Sequence, residues 1–189
     1  MVSGQLETYV REIQGSLKEF ATDPVTQEKL DDGRYREKYH TGTYWTPSVM
    51  RRMGDVGKRL GFEVYSKFHR GERLYDLCWV EEVDGIGSLP ATKSLPLVLE
   101  CEWDSGSKYR SEVEYDFDKL LWSGAELCVM IFECWSPNQS ADTVKGKTQV
   151  EIDNLIRRVE AFSGFESTYL FCVHCTYRGG NEFVFQACN

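Results

Sequence analysis

The segment SLPLVLECEW (94–103) is an apolar run in which two acidic residues, Glu100 and Glu102, interrupt the hydrophobic pattern. Side chains alternate between the two faces of a strand, so the two glutamates share one face while Cys101 and Trp103 share the other. The continuous apolar stretch before them is typical of a strand that is buried on both faces. The segment therefore predicts an interior strand that carries two carboxylates about 7 Å apart, from two rises of about 3.3 Å.

The flanking patterns predict the rest of the sheet. An alternating segment (62–70) and an apolar one (73–82) are separated by a turn and predict a β-hairpin. The pattern over 111–124 predicts a helix, and the apolar run over 125–135 predicts a strand. Together with 94–103 they form a βαβ unit, which requires a parallel pair of strands.

The remaining patterns complete an α/β fold. We expect a central mixed β-sheet flanked by helices on both faces, in a single domain over residues 1–189, with 1–46 as an N-terminal helix and loop addition. The other predicted helices cover 4–21, 47–60 and 150–164, the last two strands cover 167–177 and 182–188, and loops or turns cover 31–47, 84–94 and 104–108.

Composition limits the functions that this chain can have. The net charge of −8 removes any broad positive field, so binding to nucleic acid would need a local basic patch or a metal ion. No segment approaches the roughly 18 consecutive apolar residues of a membrane-spanning helix, and the N-terminus lacks the pattern of a signal peptide. Most of the seven cysteines lie in apolar runs, as reduced thiols do. We therefore expect a cytoplasmic protein without a membrane partner.

The two glutamates form the first part of a candidate metal site. Like charges at this spacing in a partly dry strand raise each other's pKa, and a divalent cation between them would remove that cost. The hairpin brings a third carboxylate, Asp76, into a plausible neighbouring strand. On the following helix, Lys119 lies at the margin of the predicted buried stripe, where its ammonium group can lean towards Glu100 and Glu102.

These residues resemble a known pattern. An Asp in the second hairpin strand, an acid–x–residue element in the third strand, and then a helix and an apolar strand are similar to the PD-(D/E)XK, or restriction-endonuclease-like, nuclease superfamily. The resemblance covers the core from about Pro47 to Trp135. The family's lysine position, two residues after the acid, here holds Glu102. Some members carry that lysine on the following helix, and Lys119 in EYDFDKLL is the candidate.

The resemblance implies a restriction-endonuclease-like core and a metal-dependent nuclease that hydrolyses the phosphodiester bonds of DNA, with RNA as the alternative to DNA. It implies that Mg²⁺ or Mn²⁺ is held by Asp76, Glu100 and Glu102 together with the carbonyl group of Cys101. Lys119 would orient the attacking water or stabilise the transition state. A homodimer or a larger complex is a further expectation from the family.

Basic residues suggest where nucleic acid would bind. We expect contacts from the second helix and from the hairpin turn, with Trp45 (and Tyr44) as base-stacking side chains. The basic residues in this set are Arg51, Arg52, Lys58, Lys67, Arg70 and Arg73. The alternative is an ordinary solvated surface.

Other functions remain open at this point. The alternative to a nuclease is a catalytically inactive nuclease-like subunit that acts in binding or assembly, and a third possibility is an acidic globular protein whose carboxylates bind metal for structure alone. Lys119 can instead pair with a helix neighbour such as Asp116. The segment CVHC (172–175) places Cys172 and Cys175 on opposite faces of a predicted strand, which favours core thiols and a cross-strand histidine over a zinc site.

Overall fold

The computed structural model describes residues 4–31, 45–71, 73–84, 90–103 and 109–189, with side chains for all of these except 29–31 and 109. The predicted turn 104–108, residues 32–44 of the loop predicted at 31–47, and residues 85–89 of the loop predicted at 84–94 lie outside the described residues, whereas residues 91–94 of the latter belong to a strand. The described elements, in chain order, are α1 (Gly4–Thr22), α2 (Pro24–Asp31), α3 (Trp45–Arg59), β1 (Glu63–Ser66), β2 (Leu77–Val83), β3 (Ala91–Glu102), α4 (Tyr109–Leu121), β4 (Leu127–Trp135), α5 (Ala141–Ala161), β5 (Thr168–Tyr177) and β6 (Gly180–Cys188).

The six strands form one mixed sheet, in the order in which they occur along the chain. The pairs β1–β2, β2–β3 and β5–β6 are antiparallel, whereas β3–β4 and β4–β5 are parallel. The parallel pair β3–β4 is connected through α4, as predicted, because parallel neighbours need a crossover. The general class, an α/β protein with a mixed sheet and helices on both faces, is thereby confirmed.

Helices α1 and α3 cover one face of the sheet. The buried residues of α1 recur every three or four positions, which places them on one stripe of the helix. They pack with α3 and with the β3 side chains Leu97, Leu99, Cys101 and Trp103 in one hydrophobic core. The N-terminal helix is therefore part of the main core.

Helices α4 and α5 cover the opposite face. Val113, Phe117 and Leu120 of α4 are buried there, and they pack with Val98 of β3 in a second hydrophobic core. Because Val98 and Glu100 share a face of β3, the Glu100 carboxylate enters this second core. None of the described helices is long and apolar enough to cross a membrane.

Several element boundaries differ from those predicted, and the hairpin differs most. The strands predicted over 62–70 and 73–82 are confined to β1 and β2, and the chain turns between them, with Arg70 at a φ of 37°. Asp76 therefore lies in a bend immediately before β2 and not inside a strand. Phe68, Leu74 and Tyr75 give the sequence a strand-like pattern there, although these residues lie outside β1 and β2.

Helix α5 starts nine residues earlier than the predicted start at 150. Its first half, ADTVKGKTQ, has few apolar residues, so its periodicity is weak. Ser140 caps this end, because its side chain accepts a hydrogen bond from the amide of Thr143 at 3.3 Å. The signal for this helix start was therefore a capping residue and not a hydrophobic stripe.

Candidate active site

Asp76 and Glu100 face each other across the β2–β3 pair. Leu77 pairs with Leu99 in the antiparallel register, so the next positions outward are Asp76 and Glu100. The Oδ2 atom of Asp76 accepts a hydrogen bond from the backbone amide of Cys101 at 3.0 Å, which fixes the bend before β2. The structure thus brings together two of the three predicted carboxylates.

Lys119 reaches this pair from α4. Its Nζ atom lies 2.8 Å from Oε1 of Glu100 and 2.9 Å from Oδ1 of Asp116. The Glu100 side chain is 1% exposed, whereas that of Lys119 is 34% exposed. The ammonium group therefore connects a buried carboxylate to the protein surface. The buried stripe of α4 orients the helix so that this contact can form.

The environment shifts the pKa values of the ion pair. Burial, followed by the charge of Asp76, raises the pKa of Glu100 to about 8, although Lys119 opposes the shift. Burial would lower the pKa of Lys119, but its hydrogen bonds to Glu100 and Asp116 outweigh this effect and raise that pKa above its usual value. Lys119 therefore carries a positive charge beside a carboxyl group that is easily protonated.

Glu102 and Cys101 lie beside this pair with different surroundings. Glu102 is half-buried at the end of β3, on the same face as Glu100. The thiol of Cys101 points into the opposite core, where its Sγ atom accepts a hydrogen bond from the indole of Trp103 at 2.7 Å. The predicted roles of the Glu102 carboxylate and the Cys101 carbonyl as metal ligands remain predictions.

No group of three or more His, Cys, Asp or Glu side chains within the described residues is arranged to hold a metal ion. The position beside Glu100 is taken by the Lys119 ammonium group, and one Asp76 oxygen accepts from a backbone amide. The donor chemistry nevertheless suits a hard cation, because two facing carboxylates are oxygen ligands.

Most of the basic residues that we predicted to contact nucleic acid lie away from Glu100 or are engaged within the chain. Arg51 and Arg52 lie on α3, in the layer opposite α4, and their guanidinium groups lie over the rings of Phe68 and Phe20. Lys58 is on the same helix, and both Lys58 and Lys67 are exposed.

Arg70 and Arg73 are held by acidic side chains of the hairpin. Arg70 pairs with Glu63 at 2.9 Å and with Glu82 at 3.2 Å. Arg73 pairs with Glu82 at 3.6 Å, and its guanidinium group lies 3.7 Å from the centre of the Tyr65 ring. These contacts compensate both charges along the hairpin and direct them away from Glu100.

Trp45 requires a correction. It was predicted to stack on bases, but only 4% of it is exposed, and its ring stacks on Trp103 at 5.5 Å within the core. A base cannot reach a ring that is already covered on both sides by protein. Tyr44, the other stacking candidate, lies outside the described residues.

Sequence reasoning missed Tyr75 as a neighbour of the site. Tyr75 is half-buried; burial raises the pKa of its hydroxyl, and the charge of Glu100 is among the smaller contributions. It directly precedes Asp76, so proximity in the sequence was the available signal.

A second buried acid lies on the other face of the sheet. Glu133 of β4 is paired in register with His174 of β5, and its Oε1 atom is 3.7 Å from Nδ1 of the histidine. The Nε2 atom of His174 is 3.2 Å from Oδ1 of Asn181. The thiols of Cys172 and Cys175 enter opposite cores, as expected for core cysteines around a cross-strand histidine.

Comparisons with known proteins find no matching family model, no matching curated protein and no matching solved structure. The chemistry of Asp76, Glu100 and Lys119 must therefore be inferred from these residues themselves.

Proposed function

We propose that this protein is a metal-dependent nuclease with a restriction-endonuclease-like core. One observation carries the proposal: Asp76 and Glu100 face each other across β2–β3, and the ammonium group of Lys119 lies 2.8 Å from Glu100. The order of elements also supports it, because three antiparallel strands are followed by a helix and a parallel strand, as the resemblance implies.

Asp76 and Glu100, with Glu102 and the Cys101 carbonyl, would hold Mg²⁺ or Mn²⁺. When bound, the ion would lower the pKa of a coordinated water and offset negative charge on the phosphate. Lys119 contributes a fixed positive charge and hydrogen-bond donors that can orient a phosphate oxygen or a water. Asp116, at 2.9 Å from its Nζ atom, keeps that ammonium group in position.

Cleavage assays test the proposal. We expect the protein to cut plasmid DNA or oligonucleotides in the presence of Mg²⁺ or Mn²⁺, with an RNA substrate run in parallel. Asp76→Asn, Glu100→Gln and Lys119→Met should each lower the cleavage rate by about 10²-fold or more, because the two carboxyl groups would hold the metal ion and the ammonium group would act on the phosphate or the water.

The matched controls are Glu182→Gln and Lys145→Met, which break a surface ion pair of 2.9 Å. Both controls should cleave at the wild-type rate. Cleavage that survives in Glu100→Gln and Lys119→Met would exclude this site. A readout that does not depend on activity is calorimetric titration with Mg²⁺, in which Asp76→Asn should bind more weakly than the Glu182→Gln control.

The second candidate is a catalytically inactive, nuclease-like subunit that acts in binding or assembly. The direct contact between Lys119 and Glu100 favours it, because an ammonium group already compensates the buried carboxylate. The internal pairing of Arg70 and Arg73 also favours it, since those charges are not free for phosphates. Absence of cleavage on every nucleic acid, with a folded protein, would support this candidate.

A further inference from the structure

A groove of about 620 Å³ lies at the opposite end of the parallel strands from the end of β3. It is bordered by the residue before β4, Glu126, by the first residues of β5, and by the end of α5 with the segment that follows it. Its volume falls within the range of small-molecule sites in proteins, about 300–1,000 Å³.

Three carboxylates and three aromatic side chains line this groove. Glu126, Glu160 and Glu166 are all exposed, and the described residues that line the groove include no basic side chain. Within the described part of the chain, none of these three glutamates forms an ion pair. Phe162 and Phe165 lie between Glu160 and Glu166 in the sequence, and Phe165 is 60% exposed. The groove therefore combines negative charge with apolar surface.

Two hydroxyl groups in the groove wall lack a well-formed hydrogen bond. The Oη atom of Tyr169 and the Oγ atom of Ser167 are buried, and neither has a partner of acceptable length and angle among the described residues. The two groups are close enough to affect each other, since Ser167 opposes the burial that raises the pKa of Tyr169 to about 12. Tyr169 is only 2% exposed. Both hydroxyl groups lie beneath the surface of the groove, where a ligand in the groove does not reach them.

We propose that this groove binds a linear organic polyamine, a methylene chain with two or more ammonium groups. Ammonium groups would pair with the carboxylates of Glu126, Glu160 and Glu166 and lie against the ring of Phe165. The methylene segments would contact the apolar wall beside Phe162. This proposal does not depend on nuclease activity, because none of these residues belongs to the site at Glu100.

Isothermal titration calorimetry of the whole protein with spermidine tests it. We expect one molecule to bind per chain. Glu160→Gln, Glu166→Gln and Phe165→Ala should each weaken binding by about two- to fivefold, the range of partly exposed ion pairs and cation–π contacts. The matched control is Glu19→Gln, which removes the same charge from an exposed position on α1 and should leave the affinity unchanged.

Four results would overturn the proposal. These are no binding at millimolar spermidine, equal weakening by Glu19→Gln, displacement by Mg²⁺ at equal ionic strength, and much tighter binding of a lysine-rich peptide than of spermidine. The first three results would mean that spermidine either does not bind or is attracted only by the overall negative charge of the protein. The last would assign the groove to a protein partner. Thermal unfolding of each variant verifies that it is folded.

Discussion

Glu100 and Lys119 show how one residue pair combines stability and chemistry. The carboxylate is almost fully buried, whereas the ammonium group reaches solvent. Burial disfavours the charged carboxylate, and the neighbouring charge of Asp76 adds to this effect. The pKa of Glu100 therefore rises from its ordinary value of 4.5 to about 8, so this residue takes up a proton under conditions in which an exposed glutamate has lost it.

The sign of the resulting pH dependence follows from proton linkage. Between pH 4.5 and 8 the folded protein holds a proton on Glu100 that the unfolded chain releases. The associated stability is complete below pH 4.5 and is lost as the pH rises through 8. We predict that protonation of Glu100 makes the free energy of unfolding decrease by up to about 1.4 kcal/mol per pH unit in this window. Glu100→Gln should remove this decrease.

Denaturant unfolding at pH 5, 6, 7 and 8 measures this slope. The control is Glu182→Gln, which removes a carboxylate from a surface pair with Lys145 and should keep the wild-type slope. Equal slopes in the wild type and in Glu100→Gln would show that the carboxyl group is not protonated in the folded state.

Helix α3 shows how a single element depends on close packing. A Cβ atom added at Gly57 would lie 2.4 Å from Nε1 of Trp79, whose indole donates a hydrogen bond to the carbonyl of Met53 at 3.1 Å. The helix therefore approaches β2 closely only because this position lacks a side chain. At Gly15 of α1, by contrast, an added Cβ atom has no neighbour within 4 Å.

These two glycines make a matched pair for mutation. Gly57→Ala should destabilise the protein by about 1–3 kcal/mol, because the buried indole must shift and its hydrogen bond is strained. Gly15→Ala should stabilise it by about 0.5–1 kcal/mol, since alanine restricts the unfolded chain without a clash. Chemical denaturation measures both changes. A neutral Gly57→Ala would mean that α3 does not pack on Trp79 as described.

On the scale of the whole molecule, the sheet separates two hydrophobic cores, and each core contains some of the cysteines. Five of the seven thiols are buried, and only Cys134 and Cys188 are partly exposed. Burial raises the pKa of Cys78 and Cys128 to about 11, so these thiols are protonated as well as inaccessible. Thiol reactivity therefore reports on opening of the whole fold.

We predict that a thiol reagent at pH 8 modifies at most two cysteines rapidly in the native protein and all seven in guanidinium chloride. The other five should react only at the rate of global unfolding, because each lies inside a core. Absorbance titration counts the groups, and the double variant Cys134→Ser/Cys188→Ser should lose the fast phase. A fast phase of three or more thiols would contradict the described burial.

How much of this could be predicted from sequence depends on the range of the interaction. The alternation of 97–103 correctly assigned Glu100 to one core and Cys101 to the other, because side-chain direction is a property of the strand alone. The proximity of Asp76, Glu100 and Lys119 could also be predicted from local patterns, because a hairpin and a βαβ crossover place consecutive elements side by side.

The tertiary structure decided what lies between elements that are distant in sequence. The burial of Trp45 against Trp103, and the pairing of Arg70 and Arg73 with Glu82, depend on which surfaces meet. The groove at Phe165 likewise forms only where α5 ends beside β5. A periodic pattern determines which face of an element is apolar, but burial and ion pairing are set by the neighbour that this face contacts.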